Sequence, residues 1–314
     1  MDNTSTVLDW LVSHFPGAKK TTLREMVEHK RVQLNGVAVK SLKQGVGPSD
    51  KVEVAGIGVR KAGGEGDASG GGGKAGVGAG VIVLAEGLKL VHHDADILVV
   101  DKPGGLLTST HSDEPRPTVA GIMETYVQRT NQKAHALIVH RLDRDASGLL
   151  VLARSEKAFE YLKELFAAHT IERKYVAVVH GVFRKPEGRL EHLLYEDERG
   201  LVHVMKDGGA AAGGGGRGRK AALTYKVLAA QGQLTRVECT LETGRKHQIR
   251  VQLKAVGHPI CGDLVYGTRE AQEGNEPPGR LALHATRLGF AHPKGGQSVV
   301  FDSPPPAGWV RLVP

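Results

Sequence analysis

Acidic and basic side chains crowd into one short stretch of the chain, His140-Arg141-Leu142-Asp143-Arg144-Asp145-Ala146-Ser147-Gly148-Leu149-Leu150. Apolar runs of strand type flank it, at residues 136–139 and 149–153. A carboxylate held among arginines at the end of buried strands stays ionised, because nearby opposite charge favours the charged form. Asp143 is such a group. An ionised carboxylate suits nucleophilic or electrostatic work better than proton donation. On spacing alone a structural salt-bridge network fits the stretch equally well, and Arg144 and Asp145 are assigned to one. The fifteen histidines include no H-E-x-x-H pattern and no Cys/His pairing with zinc spacing. His92-His93 reads as a strand edge rather than a metal site.

The elements that must position this loop are short strands and a few helices. Residues 97–100 form a buried-type apolar run that ends in the turn Asp101-Lys102-Pro103-Gly104-Gly105. Ser155 caps a predicted helix whose Phe159, Leu162, Leu165 and Phe166 share a face. Further strands are predicted at residues 175–179, 223–228, 237–241, 283–290 and 299–301. Strands outnumber helices and do not alternate strictly with them. The expectation is therefore an α+β fold with a central mixed or antiparallel sheet, not a doubly wound parallel one.

The chain has 314 residues, 42 basic and 34 acidic side chains, and 42 glycines. Ten glycines fall in residues 61–80 and seven in 207–219. Neither segment has the spacing of a phosphate-cradling loop. They read as a flexible linker over 61–85 and a surface insertion over 207–219, dividing the chain into parts at 1–60 and 86–314. Two cysteines, Cys239 and Cys261, cannot build a disulfide framework, which points to a reducing compartment. No apolar run approaches the roughly 20 residues of a membrane span. The opening MDNTSTVLDW lacks a secretory signal pattern. A soluble intracellular protein is expected, in the cytoplasm or in a plastid or mitochondrion.

Residues 1–60 read as a helix with Val7, Leu8, Leu11 and Val12 inward and a second helix starting near Thr21–Thr22. A hairpin turning at Asn35-Gly36 and a strand over 51–54 follow. This order resembles the S4 RNA-binding module. Lys19, Lys20, Arg24, Lys30 and Arg31 would line one helix and its exit, a compact positive face for phosphates.

The loop at 140–150 resembles the signature of the RluA family of RNA pseudouridine synthases, HRLD-x-x-[ST]-SG-L-L. Residues 172–181, ERKYVAVVHG, are similar to the family strand R-x-Y-x-A-x-V-x-G. Residues 241–250, LETGRKHQIR, are similar to L-x-T-G-R-x-H-Q-[IL]-R. GHPI at 257–260, GDLVYG at 262–267, DKPGG at 101–105 and RLALHA at 280–285 are also family-like, in order. The resemblance implies isomerisation of uridine in RNA to pseudouridine with no cofactor and no metal. It implies Asp143 as catalytic aspartate, Arg250 as the arginine pairing with it, and Tyr175 against the uracil. Arg141 would fill the space left by the flipped base, and Arg245, Lys246 and His247 would contact the RNA backbone.

Two positions depart from the pattern: Ala146 replaces a usual serine or threonine, and Gln252 stands where many members have histidine. The resemblance favours ribosomal over transfer RNA as partner, with no membrane contact, and a monomer is expected. Two other classes are weighed against it. A catalytically idle RNA-binding assembly factor would have no need of Asp143, Tyr175 and Arg250 together. A glycosidase would need two separated carboxylates, which Asp143 and Asp145 in one turn do not supply.

Overall fold

The computed structural model describes residues 5–14, 23–24, 27–28, 32–35, 37–47, 50, 52–54, 82–110, 116–129, 131, 133–205, 218–272 and 279–314. Lys19, Lys20, Lys30 and Arg31, the segment 61–80, the helix start at Thr21–Thr22 and most of 207–219 lie outside them.

The N-terminal part holds β1 (Ser5–Thr6), α1 (Val7–His14), β2 (Val32–Leu34), β3 (Val37–Ala38), β4 (Gly45–Val46) and β5 (Val52–Val54). Thr6 and Asp9 cap α1 reciprocally, each side-chain oxygen accepting from the other's backbone N–H. Asn35 turns the β2–β3 hairpin with φ 53°, the left-handed conformation asparagine tolerates. Val7, Leu11, Leu23, Val27, Val32, Val39 and Val46 form a small core. Val12, expected inward, is 46% exposed. Five residues of helix rotate it about 140° away from Val7, off the buried stripe. Arg24 is exposed, as a phosphate contact requires.

The remainder is built on a twelve-stranded sheet: β6 (Ile82–Val83), β7 (Lys89–His93), β8 (Ile97–Lys102), β9 (Leu137–Ile138), β10 (Ser147–Ala153), β11 (Glu172–His180), β12 (Glu187–Glu196), β13 (Val202–Val204), β14 (Arg219–Gln231), β15 (Leu234–Leu241), β16 (Leu283–Ala291) and β17 (Ser298–Asp302). Its order is β13-β12-β14-β15-β11-β16-β10-β8-β7-β6, with β17 added to β16 and β9 to β10. Among the described strands only β10 and β16 pair in parallel; the other pairs are antiparallel. The α+β expectation with a mixed sheet holds. Three boundaries move. β8 continues through Asp101 and Lys102, so the turn begins at Pro103. The sheet begins at Ile82, inside the expected linker, because Ile82 and Val83 pair with Leu90 and Lys89. Arg219, expected in the insertion, already belongs to β14.

Three helices carry the packing: α2 (Val119–Gln128), α3 (Glu156–Ala167) and α4 (Gln248–Ala255). Thr118 caps α2 by accepting from Gly121 N at 3.0 Å, and Ser155 caps α3 as expected, accepting from Ala158 N at 3.2 Å. Both faces of the central strands are covered. Leu98 and Val100 of β8 and Leu150 and Leu152 of β10 share one buried cluster with Met123 of α2, while Val99, Leu149 and Val151 share another with Leu162 of α3. That two-sided burial explains why these strands read as unbroken apolar runs. The parallel seam needs a glycine. Gly148 has φ +110°, and a Cβ there would lie 2.3 Å from the carbonyl oxygen of Ala285.

Candidate active site

The loop between β9 and β10 is held from beneath by the turn after β8. Lys102 is fully buried, and its Nζ donates to the carbonyl oxygens of Pro103, Leu106 and Arg144 at 3.0, 2.7 and 2.8 Å. Burial pushes its pKa down to about 7, while three acceptors match the three N–H bonds of an ammonium group. Gly105 N donates to Arg144 O at 2.9 Å. Thr108 Oγ1 both donates to Leu142 O (2.9 Å) and accepts from Leu142 N (3.2 Å). Leu142 and Ala146 are buried on the inner side of the loop, which leaves Asp143 between them with its carboxyl 22% exposed.

The neighbouring arginines do not hold that carboxylate. Arg144 pairs instead with Asp145 (Nε to Oδ1, 3.0 Å), the structural pair expected, and Arg141 is exposed. The partner of Asp143 is Arg250, on the first turn of α4 and 107 positions away, whose Nη1 donates to Oδ2 at 3.0 Å. Arg250 is buried and held on its other edge by Asp263: Nε to Oδ2 and Nη2 to Oδ1, both 2.8 Å. Asp263 Oδ1 also accepts from the backbone N–H groups of Val265 and Tyr266, both at 2.9 Å. Burial acts to raise the pKa of Asp263, but the Arg250 hydrogen bonds and charge with those two amides hold it below the usual carboxylate range. Burial likewise opposes the charge on Arg250, and the two carboxylates more than reverse it, raising its pKa. The result is a guanidinium that stays charged and fixed in direction, with its Nη1 left to face Asp143.

His247 stands at the start of α4 with φ 54°, and its Nε2 lies 4.0 Å from Asp143 Oδ1. Its Nδ1 meets the hydroxyl of Tyr266 at 2.9 Å, and that hydroxyl accepts from Val202 N at 3.0 Å. With the hydroxyl donating to Nδ1, the imidazole proton sits on Nε2, toward the carboxylate. Burial lowers the pKa of His247 despite the opposing charge of Asp143, so the ring is neutral at pH 7. Tyr175, on β11, is 8% exposed, and burial pushes its hydroxyl up to about 12. Arg141, Asp143, Arg173, Tyr175, His247 and Arg250 line one cavity of about 620 Å³. Arg245 and Lys246 also border it; Arg245 Nε donates to Lys220 O at 3.1 Å, and Lys246 Nζ contacts Glu196 and Gly200 O.

The scaffold thus brings Asp143, Tyr175, Arg250, Arg141, Arg245, Lys246 and His247 to one cleft. Asp263, Tyr266 and Lys102 also build it and were given no role from sequence. Their signal was the runs GDLVYG and DKPGG, where a carboxylate or a lysine in a turn reads as local punctuation. The two departures sit differently: Ala146 borders the cleft, and Gln252 lies outside its lining. Ala146 packs into the core, and Gln252 is fully buried, its Nε2 donating to Leu190 O and Ala221 O at 3.2 Å.

A family model described as RNA pseudouridylate synthase matches residues 96–255. The Bacillus subtilis RNA pseudouridine synthase YlyB, itself called uncharacterized, is 34% identical over 316 residues, covering 98% of this chain and 90% of that protein. The chain belongs to the RNA pseudouridylate synthase family. Its members are isomerases, and the enzyme expected from the sequence is of that class. Ribosomal large subunit pseudouridine synthase D of Nitrosomonas europaea is 33% identical, with 72% of this chain and 64% of that one aligned. RNA pseudouridine synthase 2, chloroplastic, of Arabidopsis thaliana is 34% identical with the same coverage. Human RNA Pseudouridylate Synthase Domain Containing 4 matches in fold, with TM-score 0.57, 22% identity, 70% of this chain and 90% of that one. The Domain Containing 1 protein gives 0.56, 23%, 70% and 84%. Among the described residues no helix is long and apolar enough to cross a membrane.

Proposed function

We propose that this synthase isomerises uridines of ribosomal RNA and that Asp143 is its nucleophile. The observation that carries the reading is the relay Asp263–Arg250–Asp143, which delivers an aimed carboxyl group to a cleft sized for a flipped nucleoside. Breaking the glycosidic bond builds positive charge on ribose C1′, which that carboxylate stabilises or traps. The electron pair leaves with uracil; the ring turns, C5 bonds to C1′, and the C5 proton is lost as N1 gains one. Tyr175 offers a buried ring for the base to stack on, worth about 1–3 kcal/mol. Arg141, exposed beside Asp143, is placed to stack in the space the base leaves, recovering part of the few kcal/mol that flipping costs.

Arg245 and Lys246 at the rim supply backbone contacts, and the N-terminal part, read as an S4-like module, adds a second RNA surface through Arg24 and its basic neighbours. A ribosomal substrate is supported by the name of the Nitrosomonas relative, and an organelle by that of the Arabidopsis one. The test is Asp143→Asn, which keeps size and packing. Conversion of uridine in a transcript of large-subunit ribosomal RNA should vanish while the RNA still binds. Full turnover by that variant would remove Asp143 from the chemistry.

A further inference from the structure

Of the two buried arginines in the cleft, one has no anion among the described residues. Arg173 lies two residues before Tyr175 on β11, on the same face; Lys174 between them turns to the opposite face and pairs with Glu238 at 3.3 Å. Arg173 is only 7% exposed and borders the cavity, yet its guanidinium has no hydrogen-bond or ion-pair partner among the described residues. Its Nε in particular is buried and unpaired. Its surroundings are rings. The guanidinium lies 5.6 Å from the centre of Phe166. His140 stacks on the same ring at 4.5 Å, and burial together with the charge of Arg173 drives its pKa down to about 3, so it is neutral. Backbone conformation makes room for the cation: a Cβ at Gly244 would fall 2.7 Å from Arg173 Nη1. A desolvated charge left unpaired is costly in the free protein, and that cost is removed when an anion arrives beside it.

We propose that Arg173 is a second catalytic cation of this site, which receives the carbonyl oxygen of uracil that turns negative as the base detaches. The inference rests on the assignment of Asp143 and Tyr175 given above. Heterolysis of the bond between C1′ and N1 leaves its electron pair on uracil, where it spreads to O2 and O4. Asp143 meets the positive charge on the ribose; Arg173 meets the negative charge on the base. The division separates the two developing charges between two fixed groups, each oriented before the bond breaks. A backbone phosphate is the other anion RNA brings. It is bulky and solvated, and the exposed Arg245 and Lys246 at the rim are placed for it, whereas Arg173 lies beside the ring of Tyr175.

The experiment compares wild type, Arg173→Met and Arg173→Lys, full length, on an unmodified transcript of large-subunit ribosomal RNA. RNA affinity and single-turnover pseudouridine formation at saturating RNA are both measured. Arg173→Met should slow conversion about a hundredfold or more while leaving affinity within about threefold. Arg173→Lys should regain part of that rate and acquire a pH dependence the wild type lacks. A lysine buried without a carboxylate has a lowered pKa, so its rate should fall as pH rises toward 9. A merely structural arginine would give no such limb. Weakened binding with an unchanged rate at saturation would make Arg173 a phosphate contact and overturn the proposal, as would unchanged rate and affinity together. If Arg173→Met does not fold, the pH profile of Arg173→Lys decides alone. An inactive wild type on this RNA would count against the ribosomal assignment, separately from the comparison of variants.

Discussion

Asp263→Asn is the substitution that separates the support of the site from the site itself. Asp263 does not line the cavity, and its carboxylate is fully buried, bonded to both Nε and Nη2 of Arg250 and to two backbone amides. Asparagine keeps the volume and one acceptor oxygen but turns an N–H group toward a guanidinium N–H. Removing one partner of a buried pair costs about 3–5 kcal/mol. Arg250 retains Asp143 at 3.0 Å as a second partner, which places the expected loss at the lower end, about 3 kcal/mol. For a domain of this size that lowers Tm by about 6–12 °C. Conversion should fall as well, because Arg250 is then free to rotate toward the variant side chain and release Asp143.

The pH dependence has a definite sign. A carboxyl whose pKa is lowered by folding stabilises the native state above its unfolded pKa of about 3.9 and loses that contribution as pH falls through the folded value. The Tm gap between wild type and Asp263→Asn should therefore be full at pH 7 and shrink below about pH 4. Calorimetric scans across pH, with single-turnover conversion at pH 7, measure both. Equal Tm values at pH 7, or a gap that widens in acid, would refute the claim that Asp263 holds Arg250.

Lys102→Met takes a donor from three carbonyl oxygens, two of them on the turn and one, Arg144 O, on the Asp143 loop, which keeps the N–H of Gly105. At about 1–3 kcal/mol per unsatisfied buried group, softened where water can reach, a loss of about 3 kcal/mol is expected. Conversion should fall with it, and a thermal scan and a turnover assay on the same preparation show whether the two losses go together. Arg245→Ala should reduce the slope of log Kd against log salt by about 0.7 for a single-stranded phosphate contact. An unchanged slope in a binding titration would remove Arg245 from the RNA footprint.

Much of the cleft was legible because its chemistry is concentrated in few residues. The Asp143 loop announces itself by putting five charged or titratable side chains between two apolar strands, and β10, buried at every position, could hardly be read otherwise. Amphipathic α3 and its Ser155 cap were equally plain. Other elements gave weaker signals. β12 keeps one side in solvent and carries glutamates, arginine and glycine, so its alternation is diluted. α2 buries only Val119, Met123 and Val127, a single thin stripe, and carries the weak helix former Gly121 on its exposed side.

The more instructive failure is local. Arg141, Arg144 and Asp145 surround Asp143 in sequence, and proximity along the chain predicts that the arginines hold it. Yet the loop buries Leu142 and Ala146 on its inner side, which leaves Arg141 in solvent and gives Arg144 a nearer acceptor in Asp145. Exposed pairs of that kind are worth little and bend to whatever geometry is at hand. A carboxylate that must stay ionised and aimed needs a cation with no freedom, and such a cation has to be buried. Burial in turn demands a second carboxylate, because a guanidinium has more donors than Asp143 can accept from. Asp263 therefore follows from Arg250, as Arg250 follows from Asp143, each step forced by desolvation. A search for the partner of a reactive carboxylate should look for a buried arginine with a surplus anion, wherever in the chain it falls.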